Sequence, residues 1–177
     1  MKFNSIIIIS LLIFSCSNPE PRKPILRKSS SFLQESIERN KVINKIEEKA
    51  LFDYMKNDST NQYIASENGF WYYYQKRNTS KAQHISVKGD IILYTYQIKD
   101  VNGKLVYSEA EIGNRSYHVD KQEIIAGLHD GLKLLKEGEQ VTFLFPSHKA
   151  YGYAGYKKIN GNQPLIFTVK IKKISSQ

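Results

Sequence analysis

Two runs near the C-terminus alternate apolar and other residues in strict steps of two. Val141, Phe143 and Phe145 form one, ending at Pro146; Leu165, Phe167, Val169 and Ile171 form the other, interleaved with Thr168, Lys170 and Lys172. A period of two puts each set on one face of a strand, so both predict antiparallel strands with one face towards a core and one towards water. Upstream, the stretch GDIILYTYQIKDVNGKLVYSE, from Gly89, holds two β-rich runs around Asn102-Gly103. That dipeptide tolerates positive φ and predicts a hairpin. The aromatic run Phe70 to Tyr74 places Phe70, Tyr72 and Tyr74 on one face and Trp71 and Tyr73 on the other, which suits a leading strand covered on both sides. After a polar loop the period changes: Ile125, Leu128, Leu132 and Leu135 recur at steps of three and four, with Gly138 where a left-handed C-terminal residue is expected. The sum is an α+β domain over residues 65–177, an antiparallel sheet of about five strands wrapped around one short helix.

Ahead of that domain, Ser29 to Asn57 contains neither Gly nor Pro and places Leu33, Ile37, Ile43, Ile46, Leu51 and Tyr54 near helical spacing. It predicts a helical extension over 30–57, capped by Ser30 or Ser31, which either pairs with a partner or packs on its own domain. Residues 1–15 read as a secretion signal, with a basic start at Lys2 and an apolar run from Ile6 to Phe14 too short to span a bilayer as a mature helix. Ile13-Phe14-Ser15-Cys16 resembles the lipobox of bacterial lipoproteins. The resemblance implies cleavage before Cys16, diacylation of its thiol and acylation of the new amine, hence a membrane anchor. Residues 16–29 form an extended tether, in which Pro19, Pro21 and Pro24 stiffen the chain. No acidic run follows Cys16, which by resemblance to known lipoproteins favours the outer membrane facing the periplasm. With one cysteine in the chain, no intramolecular disulfide forms and the fold rests on its core.

The net charge of +9 raises the question of nucleic acid. Lys and Arg are scattered between strands and tails rather than gathered with aromatic platforms or a recognition element, so the charge reads as solvated surface. His84, His118, His129 and His148 lack metal-ligand spacing and read as surface residues without a fixed carboxylate neighbour. No metal or other cofactor is expected.

Between the last two strands lies SHKAYGYAGYKKINGNQP, far longer than the usual connection of about 4 to 6 residues and carrying three tyrosines among glycines. The order hairpin, KQEIIAGLHDGL, GEQVTFLFP, AYGYAG and LIFTVKI resembles the FKBP family of peptidyl-prolyl cis-trans isomerases, over roughly Gly89 to Ile174. With a membrane tether and a helical extension, it is similar in particular to the gliding-motility-associated isomerase lipoproteins. The resemblance implies catalysis of X-Pro rotation in a groove formed by Tyr94, Ile125, Leu128, Tyr151 and Phe167, with Val106, Tyr107, Ile124 and Tyr156 binding substrate around it. The N–H of Ile125 would hold the substrate carbonyl, and the Tyr151 hydroxyl the chain beyond the proline. Leu128 stands where the family's floor is most often tryptophan, Tyr156 where histidine is frequent, Tyr107 where many members carry aspartate, and Arg115 where an aromatic wall is common, with Tyr117 able to compensate. The implied partners are proline-containing polypeptides and envelope or motility proteins. Two classes of function stay open: an isomerase for exported proteins, or a non-catalytic peptide-binding, chaperone or structural module of an envelope complex.

Overall fold

The computed structural model describes residues 29–80 and 84–176. The predicted signal, Cys16 and the tether up to residue 28 lie outside them. Met1–Ser36 forms one unit and Ile37–Gln177 a second, compact one that carries the sheet. The elements are α1 (Ser29–Asn57), β1 (Ile64–Ala65), β2 (Trp71–Lys76), β3 (Ile91–Asp100), β4 (Leu105–Tyr107), α2 (Glu109–Ile112), β5 (Arg115–His118), α3 (Ala126–Leu132), β6 (Gln140–Phe145), a 3-10 turn (Ser147–Lys149) and β7 (Leu165–Ser175). All strand pairs are antiparallel, in the order β1-β2-β6-β7-β3-β4, with β5 also on β3.

The sheet has seven strands where the apolar pattern showed about five. The additional two are β1, only two residues long, and β5, four residues inside the segment read as a polar loop. Neither is long enough to display a period, and β5 is buried only at Tyr117. The hairpin forms at Asn102-Gly103, with positive φ at Gly103 and a bulge after Ile98. Asp100 closes it, its Oδ1 accepting the N–H groups of Asn102 and Lys104 at 2.9 Å each.

Alternation along the strands divides the interior in two. Val141, Phe143 and Phe145 of β6, Leu165, Phe167, Val169 and Ile171 of β7, and Ile92, Tyr94 and Ile98 of β3 meet Leu128 and Leu132 of α3 in the main core. Helix α3 lies hard against the sheet because it presents glycine there. A Cβ on Gly127 would sit 2.7 Å from the Phe145 ring, and one on Gly131 2.9 Å from Phe143. Gly138 follows at φ 79° as expected, although the last turn before it is not α-helical.

The opposite face is not left to water. Leu144, Ile166 and Leu51 of α1 form a second buried cluster, flanked by Tyr54, Met55, Tyr63, Trp71 and Val101. Of the two uses considered for the extension, its C-terminal half thus packs on its own domain. The contact is sealed by Glu47, 3% exposed, whose carboxylate accepts the Ser147 N–H at 2.7 Å and the Ser147 hydroxyl at 2.6 Å. No helix among the described residues is long and apolar enough to cross a membrane.

Candidate functional site

Strand β3 is paired with β7 along its whole length, but on its other edge the partner changes. β5 takes Ile91 to Tyr94, β4 takes Ile98 and Lys99, and Thr95 to Gln97 are left without a neighbour on that side. The chain fills the interval with α2, capped by Ser108, whose hydroxyl accepts the Glu111 N–H at 3.2 Å. A cleft opens at this break. It comprises a cavity of about 480 Å³ whose wall includes Tyr94, Tyr96, Arg115, Ile125, Leu128 and Tyr151, and a smaller one of about 230 Å³ lined among others by Tyr107, Glu111, Tyr156 and Lys157. Tyr96, Arg115 and Tyr151 belong to both.

Each wall has a local reason. Tyr94 and Tyr96 lie two residues apart on β3 and so share a face; their rings stack at 5.8 Å, and Tyr96 stacks in turn on Phe167 at 5.6 Å. Ile125 is the residue before α3, with φ −57° and ψ 139° and no side-chain cap. Its N–H makes no hydrogen bond among the described residues and is one of the orphan donors that every helix start leaves. Leu128, one turn into the helix, is 3% exposed. Tyr151 opens the long loop and stacks on Tyr156 at 5.7 Å.

That loop is folded tightly on itself. Tyr156 and Ile159 exchange backbone hydrogen bonds at 2.9 Å each, and Asn162 N–H reaches Gly152 O at 2.8 Å. Gly155, at φ 67°, has Ile159 O only 2.3 Å from where a Cβ would stand. Ile159 is buried in the main core and pins the loop down. On the near side Tyr107 braces it: its hydroxyl accepts the Lys158 N–H at 3.3 Å, and the Lys158 ammonium lies 4.9 Å from the centre of the Tyr107 ring and 2.6 Å from Glu111.

The cleft is electrostatically simple. Burial pushes the hydroxyl pKa values of Tyr94, Tyr96 and Tyr151 above the ordinary tyrosine value, against the opposing charge of Arg115. All three are therefore neutral O–H groups through the physiological range. Among the described residues four carboxylates are lowered: Asp58, well below its usual range through hydrogen bonds from Asn61, Thr60 and Tyr63; Asp90, through the Val87 N–H and His84; Asp120, through Lys133 and His129; and, at the smaller cavity, Glu111, through Lys158. Among the described residues no cluster of three His, Cys, Asp or Glu could hold a metal ion.

Of the residues singled out from sequence, Tyr94, Ile124, Ile125, Leu128 and Tyr151 line the larger cavity, and Tyr107 and Tyr156 line the smaller. Phe167 is fully buried beneath Tyr96, and Val106 packs half-buried against the main core without lining either cavity. Sequence reasoning missed Tyr96 as a wall: the resemblance supplied Tyr94, and strand alternation puts the residue two further on upon the same face. Two histidines differ from their reading as residues without fixed carboxylates. His129 lies 3.0 Å from both Asp120 and Asp130, and His84 bonds Asp90. Neither pairing shows in a sequence because it depends on how the turn before α3 and the one before β3 close.

Comparison with known proteins agrees with the fold. The sequence profile described as "FKBP-type peptidyl-prolyl cis-trans isomerase" matches residues 82–172, just over half of the chain. The chain belongs to that family. It is 28% identical over 151 residues to a "Probable FKBP-type peptidyl-prolyl cis-trans isomerase FkpA" of Neisseria meningitidis, covering 82% of this chain and 54% of that one. It is 29% identical over 113 residues to an FkpA of Buchnera aphidicola, covering 63% of this chain and 43% of that one. The chain thus spans about half the length of these relatives. Among solved structures, FkpA from Escherichia coli superposes with a TM-score of 0.60 at 21% identity, covering 99% of this chain and 83% of the other, a likeness of fold.

Proposed function

We propose that the cleft catalyses cis-trans rotation about X-Pro bonds. The observation that carries this reading is the larger cavity itself: an unpartnered Ile125 N–H beside buried Leu128 and three neutral tyrosine hydroxyls. Rotation needs no nucleophile, metal or proton relay. The barrier, about 18–20 kcal/mol, exists because nitrogen shares its lone pair with the carbonyl. Twisting the bond localises that pair and lowers the amide dipole, so surroundings poor in water favour the twisted form over the planar one. Leu128 and the Tyr94 and Tyr96 rings seat the proline, the Ile125 N–H holds the carbonyl, and the Tyr151 hydroxyl orients the chain beyond. Each ~1.4 kcal/mol of preference for the twisted form gives a tenfold acceleration.

Substrates on this reading are proline-containing segments of exported proteins. The lipobox at Cys16 supports attachment of acyl chains and so a position in the cell envelope, and the lack of an acidic run after Cys16 supports, by resemblance to known lipoproteins, the periplasmic face of the outer membrane. Service to a gliding apparatus is the narrowest form of the proposal and rests on resemblance alone. Family membership extends to residues 82–172; the domain proposed here starts earlier, at residue 65, since β1 and β2 complete the sheet beside β6.

A protease-coupled assay with a prolyl tetrapeptide tests the central point. The purified chain should relax the cis population well above the spontaneous rate. A rate equal to the spontaneous one, with peptide binding retained, would establish the second reading, a peptide-binding module, which Leu128 favours by offering a narrower floor than an aromatic ring. Mass spectrometry of the native N-terminus should find acyl groups on Cys16; an unmodified Cys16 would remove the anchor.

A further inference from the structure

We infer that the cleft selects segments with an acidic side chain next to the proline, and that Arg115 is the residue that selects them. This rests on the isomerase reading of the same site and adds its substrate class.

Arg115 begins β5 opposite Tyr94 and shares the side of that strand with buried Tyr117. It contributes to both cavities, so it stands at their junction. Its charge reaches the hydroxyls of Tyr94, Tyr96 and Tyr151, acting on each against burial, which places the guanidinium towards the cleft. Yet among the described residues Arg115 forms no ion pair and no side-chain hydrogen bond. A guanidinium offers five donors in a planar fork matched to a carboxylate, and here they are left for something else.

The other charges leave the cleft positive. No carboxylate lines the larger cavity. Glu111, the one carboxylate of the smaller, is taken up by Lys158 at 2.6 Å. Lys157 lines the smaller cavity with its ammonium 5.2 Å from the centre of the Tyr156 ring. At the rim, Asp120 and exposed Glu123 line an adjoining hollow that shares Gln122 and Ile124 with the larger cavity, and Asp120 is held there by His129 and Lys133. A proline seated over Leu128 sends one flanking residue past Tyr96 and Tyr151 into the smaller cavity, and that residue passes Arg115. A carboxylate there meets an unpaired cation; a lysine meets repulsion from both Arg115 and Lys157.

The test is a panel of N-acetylated tetrapeptides with Glu, Gln or Lys either before or after the proline, assayed at low and at high salt. Since Arg115 is exposed, the expected preference is modest, roughly 2- to 5-fold in kcat/KM for Glu over Gln in one of the two series, with Lys below Gln. High salt should shrink it. Arg115→Gln should bring the Glu:Gln ratio to about 1, whereas Arg115→Lys should keep most of it, which a merely structural role would not do. Equal rates on Glu and Gln in both series of the unaltered protein, or a preference that survives Arg115→Gln, would overturn the inference while leaving the isomerase standing. Absence of acceleration with every peptide would overturn the isomerase reading and this inference with it.

Discussion

The cleft and the junction of α1 with the sheet both present polar groups, and they treat them in opposite ways. At the junction, Glu47 meets the N–H and hydroxyl of Ser147 at 2.7 and 2.6 Å, and the exchange is complete. In the cleft, Ile125 N–H and the Arg115 guanidinium have no partner among the described residues. Ile125 is half-buried and Arg115 exposed, so leaving them without a protein partner costs the fold little and keeps both donors open to a ligand. The junction is built for stability and the cleft for something that arrives from outside.

That contrast can be broken in four places. Glu47→Ala strands both Ser147 donors and should lower stability by about 2–4 kcal/mol, read from urea unfolding. A loss below ~0.5 kcal/mol would mean that the junction is not where the fold is tied. Gly131→Ala drives a methyl into Phe143, 2.9 Å away, and should cost about 1–3 kcal/mol by the same measurement. An unchanged midpoint would show that α3 can lift off the sheet. Tyr151→Phe removes one hydroxyl from the cleft wall and should reduce kcat/KM several-fold, the equivalent of about 1 kcal/mol, with stability within ~0.5 kcal/mol of the parent. Unaltered turnover would take that hydroxyl out of the mechanism.

The smallest effect concerns pH. The hydroxyl pKa values of Tyr94, Tyr96 and Tyr151 are raised by burial, so above about pH 10 the unfolded chain loses protons that the folded chain retains. Their contribution is fully present below that point and fades as pH climbs towards the folded values. Stability should therefore decline on the alkaline side, and Tyr94→Phe should flatten the decline. An identical slope in that variant would deny that Tyr94 is sequestered from water.

Much of the fold was legible because long strands announce themselves. β6 and β7 alternate over enough residues for a period to show, and Gly138 punctuates the chain where its φ of 79° requires. What escaped was short or depended on distant partners. Four residues of β5 cannot establish alternation, and its pairing with β3 supplies what its sequence does not. The sheet's second face looked wet because Thr168, Lys170 and Lys172 alternate with the core. Its other outward residues, Leu144 and Ile166, are covered by Leu51 from over ninety positions away. In the site, residues on regular elements, such as Tyr94 and Leu128, were found by position. Tyr107 was read as a substrate contact standing where many members carry aspartate, and its bracing of the loop escaped because its bond to the Lys158 N–H exists only once the loop has closed.

The tie between Glu47 and Ser147 joins residues one hundred positions apart, and the family profile begins at residue 82. A recombinant piece cut to the profile's limits would keep the whole wall of the larger cavity yet discard the carboxylate that fixes the root of the Tyr151 loop. Gly152 and Ala150 both donate to Ser147 O, at 2.8 and 2.9 Å, so slackness at Ser147 passes straight to that tyrosine. Truncation of this protein for the laboratory therefore belongs upstream of Ile37, where the compact unit begins, and not at the edge of family resemblance.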